Sequence, residues 1–304
     1  MTDARSAFRT LIPFLLASVV FFLTGCSWND DVRPTRNADV VIDAERNNAV
    51  AAMVPAPFRE KGAIRVGTDP SYPPTEFLDA NGKLVGMEID LMRAVGQVMG
   101  MGVEFDTGKF AKLFADVAAG RYDMAVASRT DTKAREKQVD MVSFAEAGTS
   151  LFARADVPAR RFHGLTDLCG ASVAVQRETT QETRVAAEDV KCRAAGLPSI
   201  SIAPQETQDL MVNAVLNRQA QIGLTDTPLT IYLVDRSNHR LKILGAEYGR
   251  APLGIAVRKG TGMAKPVLAA LESLMRTGEY YGILAKWNLD GMTIDKPGIN
   301  AAKD

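Results

Sequence analysis

Residues 128–135 have the side-chain types of an anion-binding site. Their sequence, SRTDTKAR, holds three hydroxyl side chains and two arginines, and it directly follows the apolar run Met-Ala-Val-Ala. Hydroxyl groups, backbone N–H groups at a helix start and guanidinium groups all suit an anion. By itself the segment more often forms a solvated loop that caps a helix at Thr132. Both interpretations stay open on these residues alone.

Two further polar groups stand where predicted strands and helices meet. Thr179 and Thr180 precede a helical pattern, where a threonine serves as N-cap and the free N–H groups can also bind an anion. Asp226 ends the strand-like segment QIGLTD and stands before Thr-Pro. Taken alone, Asp226 in this position predicts a helix cap rather than a ligand contact.

The composition excludes several classes of site and partner. The chain has 304 residues, of which 46% are hydrophobic and 24% charged, which is ordinary globular material for two lobes. Lys+Arg and Asp+Glu both number 36, so the charge pattern shows no footprint for nucleic acid. The two histidines, His163 and His239, do not have metal-ligand spacing. We expect no metal and no cofactor.

The N-terminus has the pattern of a targeting segment. Arg5 and Arg9 precede an apolar run, residues 11–23, which is shorter than the roughly 20 residues that a membrane span needs. The run ends in Leu-Thr-Gly-Cys, which resembles the lipobox of bacterial lipoproteins. We therefore expect residues 1–25 to be a signal peptide and Cys26 to carry a diacyl anchor. A free cysteine in a secreted tail is the alternative.

Two other cysteines, Cys169 and Cys192, remain after signal removal. In an oxidising compartment a lone pair most simply forms a disulfide. Residues 26–59 are polar, with a short helical patch and prolines at 55 and 57, and predict a lipidated tether rather than part of a core.

Strand and helix patterns alternate from residue 63 onward and predict two α/β lobes. The first lobe is expected over residues 60–154 and 251–293, the second over 155–250, with a tail at 294–304. In each lobe a βαβαβ unit implies a parallel sheet. Ligands of such sheets lie beyond the carboxyl ends of the strands, which here carry Asp69, the 128–135 segment and Asp226.

Three blocks of the sequence resemble the bacterial extracellular solute-binding proteins of family 3, which are the amino-acid receptors of ABC importers. The blocks are IRVGTDPSYPPTEFLDANGKLVGMEIDL, GRYDMAVASRTDTKAREKQVDM and VAVQRETTQET. The resemblance covers about residues 63–289. It implies a periplasmic-binding-protein-like fold of two α/β lobes, with the ligand cleft at a hinge that the chain crosses twice.

The resemblance assigns a role to each candidate ligand residue. Arg135 matches the arginine that holds the ligand α-carboxylate, Thr130 matches a hydroxyl and N–H that share that carboxylate, and Thr179 and Thr180 add the N–H groups of a helix start. Ser128 matches a backbone carbonyl that faces the α-amine.

The other matches concern the amine and the ligand side chain. Asp226 matches the acid that pairs with the amine, and Tyr72 and Phe110 match the pair of side chains that sandwich the ligand. By periodicity alone Phe110 is a core residue. Asp69 stands where basic-amino-acid receptors of the family place an acid.

Two residues depart from the pattern of the family. Glu178 stands where a glycine is usual, and Arg129 where an apolar residue is common. Both could point into solvent, or they could pair across the closing cleft. Glu76 and Glu178 lie in segments that should border the same cleft as Asp69. These three acids favour a basic ligand, because an unpaired buried acid is costly. Arg129 argues against a basic ligand: if it pairs with Glu178, the surplus of acids drops to Asp69 and Glu76, and a polar neutral ligand such as glutamine becomes competitive.

These observations predict a monomeric receptor, outside the cytoplasm and lipid-anchored, that binds a free amino acid and presents it to an ABC importer permease. The alternatives are an enzyme on the same scaffold, since the family includes cyclohexadienyl dehydratases, or a sensor lobe for a signalling partner. An enzyme needs a carboxyl group as general acid in the cleft, and Glu178 is the candidate.

Overall fold

The computed structural model describes residues 42–158 and 165–302. The predicted signal peptide, the lipid anchor at Cys26, and His163 lie outside the described residues.

The strands in chain order are β1 Ala63–Thr68, β2 Ser71–Tyr72, β3 Glu76–Leu78, β4 Leu84–Val85, β5 Gly102–Thr107, β6 Met124–Ala125, β7 Asp140–Arg154, β8 Ser172–Gln176, β9 Ser201–Gln205, β10 Ile222–Asp226 and β11 Leu241–Val257. The helices are α1 Asn48–Met53, α2 Ala56–Lys61, α3 Met87–Met99, α4 Leu113–Ala118, α5 Lys133–Glu136, α6 Thr180–Ala194, α7 Gln208–Leu216, α8 Thr227–Arg236, α9 Ala264–Thr277 and α10 Glu279–Lys286.

One sheet of eight strands runs through both lobes, in the order β5-β1-β6-β11-β7-β10-β8-β9. At one end β1 pairs in parallel with β5 and β6, and at the other β8 pairs in parallel with β9 and β10. These are the two parallel units that the sequence predicts. Strands β2, β3 and β4 form a small separate sheet that the sequence patterns do not indicate.

The two lobes are joined through the long antiparallel strands β7 and β11. β7 pairs with β11 along its whole length, with register shifts around Gly148. From Thr149 onward β7 also pairs with β10 of the second lobe. The predicted end of lobe 1 at residue 154 is therefore wrong, because the backbone pairing changes lobe near Gly148. On β11 the register shifts between Leu244 and Ala251 mark the second crossing.

The tether prediction is wrong for residues 42–59. Helix α1 contacts α3 and α9, and its neighbouring apolar residues Val50 and Val54 are buried in the core of lobe 1. The Asn47 side chain caps α1 and donates to the Ser273 hydroxyl at 3.3 Å. The helical patch that the sequence shows thus belongs to the folded lobe, since its apolar face needs a partner surface.

The other end of the described chain also packs on lobe 1. Ile299 forms a β-bridge with Val142, and the Ala301 N–H donates to the Asp131 carboxylate at 2.9 Å. In the second lobe a disulfide joins Cys169 and Cys192, whose Cα atoms are 5.7 Å apart, as the sequence predicts.

Within residues 42–158 and 165–302, no helix is both long and apolar enough to cross a membrane. In the same residues, no cluster of three or more His, Cys, Asp or Glu side chains could hold a metal ion.

Candidate functional site

A small cavity between the lobes collects eight of the nine ligand residues that the sequence analysis names. These are Tyr72, Phe110, Ser128, Thr130, Arg135, Thr179, Thr180 and Asp226. The ninth, Asp69, is not among the lining residues. Three glutamines complete the wall and were not predicted, namely Gln176, Gln181 and Gln208. Only their positions could have indicated them in the sequence. Gln176 ends β8, and Gln181 and Gln208 lie in the first turns of α6 and α7.

Arg135 is the basic side chain that lines the cavity. Its short helix α5 begins after Thr132, whose hydroxyl accepts the Arg135 N–H at 3.3 Å, as the sequence predicts. The guanidinium donates through Nη1 to the Thr130 carbonyl and through Nη2 to the Glu178 carbonyl, both at 2.8 Å. Burial lowers the pKa of Arg135 to about 10, so its charge persists at neutral pH.

Asp226 is the acidic side chain that lines the cavity. It occupies the N-cap position of α8, yet its side chain makes no capping bond, contrary to the expectation from Asp before Thr-Pro. Its carboxylate accepts the Tyr72 hydroxyl at 2.5 Å and the Gln181 amide at 2.7 Å. Burial raises its pKa to about 6, and these two hydrogen bonds limit the rise. At neutral pH the group is therefore largely ionised.

Two aromatic side chains of lobe 1 also line the cavity. Tyr72 and Phe110 are both buried and both line the cavity. The Tyr72 hydroxyl also lies 3.2 Å from the Thr225 hydroxyl of lobe 2. Together with the bond from Arg135 to Glu178, these contacts join the lobes across the cleft, so the structure is a closed form of the hinge.

The start of α6 supplies backbone donors to the cavity. Thr179 is the N-cap, accepting the Glu182 N–H at 3.1 Å, and its hydroxyl donates to the Gln176 carbonyl at 2.7 Å. Thr180 is the first helical residue, so its N–H has no acceptor within the helix. The capping and anion-binding interpretations are therefore compatible at this terminus.

Glu178 occupies a left-handed backbone conformation with φ of 62°. This geometry explains why the position favours glycine, because a side chain there is strained. The Glu178 N–H donates to the Glu182 carboxylate at 2.8 Å, and the Glu178 carbonyl accepts the bond from Arg135. The Glu178 side chain is exposed, and it lines the wider opening outside the cavity rather than the cavity itself.

Arg129 is buried and does not point into solvent. Its guanidinium carbon lies 3.8 Å from the ring centre of Phe110 and 4.3 Å from that of Phe114, and one nitrogen donates to the Phe110 carbonyl. Among the described residues it forms no ion pair with Glu178. Burial holds the pKa of Arg129 well below its usual value, and the charge of Arg135 adds to that effect.

Asp69 contacts the backbone of Phe110 and does not line the cavity. Its carboxylate accepts the Phe110 N–H at 3.1 Å, and burial raises its pKa. Glu76 was expected to border the cleft, but it is buried in lobe 1 and lines neither the cavity nor its opening.

The arrangement suits a small zwitterion. The Arg135 guanidinium and the N–H groups of the helix start can bind a carboxylate, and the ionised Asp226 carboxylate can bind an ammonium group. The rings of Tyr72 and Phe110 add apolar surface to the same lining.

Comparison with known proteins identifies the family of the chain. The sequence model described as "Bacterial extracellular solute-binding proteins, family 3" matches residues 64–290. The arginine-binding protein ArgT of Corynebacterium glutamicum is 30% identical over 289 residues, covering 94% of this chain and 93% of that protein.

Two solved structures share the fold. An ancestral arginine-binding protein bound to arginine is 32% identical with a TM-score of 0.67, and the match covers 74% of this chain and 98% of that one. An ancestral amino-acid-binding protein, a precursor of cyclohexadienyl dehydratase, is 28% identical with a TM-score of 0.68, covering 76% and 97%. The two-lobed fold expected from the resemblance is confirmed.

Proposed function

Because the chain belongs to the bacterial extracellular solute-binding proteins of family 3, we propose that it is a receptor that captures a free amino acid and delivers it to an ABC importer. The observation that carries the proposal is that one cavity is lined by a basic side chain, Arg135, and an acidic one, Asp226. Arg135 would bind the ligand α-carboxylate with Thr130 and the α6 terminus, and Asp226 would bind the α-amine.

The proposed ligand has a basic side chain. Asp69 lies buried against Phe110, and among the described residues no ion pair neutralises it. Asp209, in the first turn of α7, is exposed, yet desolvation of its carboxyl and then the charge of Asp69 raise its pKa to about 6. A guanidinium or ammonium group near these two acids would offset the cost of burying Asp69 and the repulsion between the pair.

The names of the relatives support this preference, since ArgT and the ancestral protein are both described as arginine-binding. Arg129 is the feature that favours a polar neutral ligand such as glutamine, because its charge offsets part of that of Asp69.

The proposed location is the outer face of the cell membrane. Cleavage before Cys26 and diacylation of its thiol would tether the folded lobes, and two acyl chains are what stable anchoring requires. From there the closed receptor would present the amino acid to the permease.

The second candidate function is a cyclohexadienyl-dehydratase-like enzyme, because one structural relative is a precursor of that enzyme. Its general acid would be Glu178. The exposure of Glu178 outside the cavity favours binding over catalysis, since a general acid must reach the bound substrate.

A thermal-shift panel of free amino acids tests these proposals. A ligand at 100 times its dissociation constant stabilises a protein by roughly 2.7 kcal/mol, so arginine, lysine or ornithine should raise the melting temperature. Stabilisation by glutamine alone would select the neutral alternative, and stabilisation by acidic amino acids alone would contradict both. Turnover of prephenate or arogenate in the same samples would replace the receptor with the enzyme.

A further inference from the structure

We propose that Glu88, which does not line the cavity, is a positioning residue for ligand binding. Its buried carboxylate holds Ser128 in a left-handed conformation and so places the Ser128 backbone carbonyl, which the resemblance to the family matches to a contact with the ligand amine. The inference rests on the proposed function.

Three hydrogen bonds connect the two residues. The Ser128 N–H lies 2.9 and 3.0 Å from the two carboxylate oxygens of Glu88, and the Ser128 hydroxyl donates to Oε1 at 2.7 Å. Glu88 is in the first turn of α3 and is fully buried, at 0% exposure. Ser128 follows β6 and lines the cavity. The carboxylate therefore acts from behind the wall of the site.

Ser128 needs such support because its φ is 45°. A residue with a side chain is strained in this region, and the strain persists only where the surroundings impose it. A carboxylate that accepts from both the N–H and the O–H of one residue fixes the orientation of that residue. If Ser128 relaxed to a negative φ, the adjacent peptide groups would rotate and its carbonyl would move.

Glu76 is the buried acid beside Glu88. Burial, followed by the charge of Glu88, holds the pKa of Glu76 well above its usual value. Within this pair, Glu88 is the member that accepts the donors of Ser128. Burial raises the pKa of Glu88 to about 7, and the bonds from Ser128 limit the rise. Asp226 also faces Glu88, and Asp69 faces Glu76.

The test is a double-mutant cycle between Glu88→Gln and Ser128→Gly, with Glu76→Gln as the matched control. A glutamine at 88 would present an NH₂ donor to the donors of Ser128 and could not accept all three bonds. A glycine at 128 keeps the carbonyl and adopts a positive φ without strain. The native protein and the variants are titrated calorimetrically with the amino acid that stabilises the native protein most in the panel, and each melting temperature is recorded.

We expect Glu88→Gln to weaken binding on the order of tenfold, which is the size of effect that backbone strain of this kind produces. In the Ser128→Gly background the same change should cost less than about threefold, because the glycine no longer needs the carboxylate. Glu76→Gln should stay within about threefold of native, since the three bonds to Ser128 come from Glu88.

Equal losses from Glu88→Gln in both backgrounds, or no loss in either, would overturn the inference. If Glu88→Gln does not fold, Glu88→Asp takes its place in the cycle, because aspartate keeps the charge but withdraws the oxygens from Ser128. If no free amino acid binds the native protein, the proposed function itself fails. If the native protein binds an amino acid but the effects of the two substitutions are additive, only the role of Glu88 is contradicted, and the proposed function stands.

Discussion

Arg135 on lobe 1 donates a hydrogen bond to the backbone carbonyl of Glu178 on lobe 2, at 2.8 Å. The same guanidinium lines the cavity in which we propose that a ligand carboxylate binds. One side chain can therefore contact both the proposed ligand and the opposite lobe. We expect occupation of the site to favour closure of the hinge through this contact.

The first prediction concerns the guanidinium. Arg135→Ala should cost on the order of 2–5 kcal/mol of affinity, because it leaves a carboxylate in the cleft without its charged partner. Arg135→Lys is the matched control and should bind with intermediate affinity, since an ammonium keeps the charge but not the planar pair of donors. Calorimetry with the amino acid found in the panel measures both. Binding by Arg135→Ala within about threefold of native would show that the carboxylate assignment is wrong.

The second prediction concerns the strain at Glu178. Glu178→Gly should unfold with a free energy higher than that of Glu178→Ala by on the order of 1 kcal/mol. Both variants remove the carboxylate, but only glycine accepts the φ of 62° without strain. Urea unfolding of the pair isolates the backbone contribution. An alanine variant as stable as the glycine variant would contradict the argument.

The third prediction concerns pH. The pKa values of Asp131 and Asp226 are raised to about 6 and that of Glu88 to about 7, chiefly by burial. A folded-state pKa above the unfolded value means that the folded state binds protons more tightly. The stabilisation that these groups contribute is therefore lost as the pH rises through about 6 to 7. The free energy of unfolding of the ligand-free protein should increase as the pH falls from 7 to 5.

Ligand affinity should change in the opposite direction over the same range, because a protonated Asp226 cannot pair with an ammonium group. Melting curves with and without ligand at a series of pH values check both trends. Asp226→Asn should reduce the slope of the ligand-free curve. Affinity that is constant from pH 7 to pH 5 would be inconsistent with the amine assignment of Asp226.

The fourth prediction concerns the disulfide. Cys169 and Cys192 are 23 residues apart, and the bridge ties the end of α6 to the segment before β8. Replacing both with alanine should lower the free energy of unfolding by about 3 kcal/mol in the chain-entropy model. Denaturant unfolding of the variant, compared with native protein before and after reduction, measures the effect. Unchanged stability on full reduction would rule out a stabilising role.

The fifth prediction concerns the anchor. Cys26→Ser should release the protein from membranes without changing its affinity for the amino acid, because the thiol to be acylated is lost while the lobes are intact. Membrane fractionation of the native host measures the distribution. A variant that remains fully in the membrane fraction would mean that the apolar run of residues 11–23 is retained as the anchor.

The sequence by itself determined the two parallel βαβαβ units, the cap at Thr132 and the pairing of Cys169 with Cys192. Each depends on local periodicity, local turn chemistry or a simple count of thiols. The resemblance to a family of receptors supplied eight residues that the structure places around one cavity. Those residues follow strand ends, and the ends of parallel strands meet at one edge of a sheet.

Only the tertiary structure decided what depends on contacts distant in the chain. It packed α1 into lobe 1, moved the first hinge crossing to Gly148 and turned the Asp226 carboxylate from its helix into the cleft. It also buried Arg129 on two phenylalanine rings and placed Glu88 behind Ser128, 40 residues away in the sequence. The type of a charged residue does not show whether it is buried, because burial is set by the partners that folding brings to it.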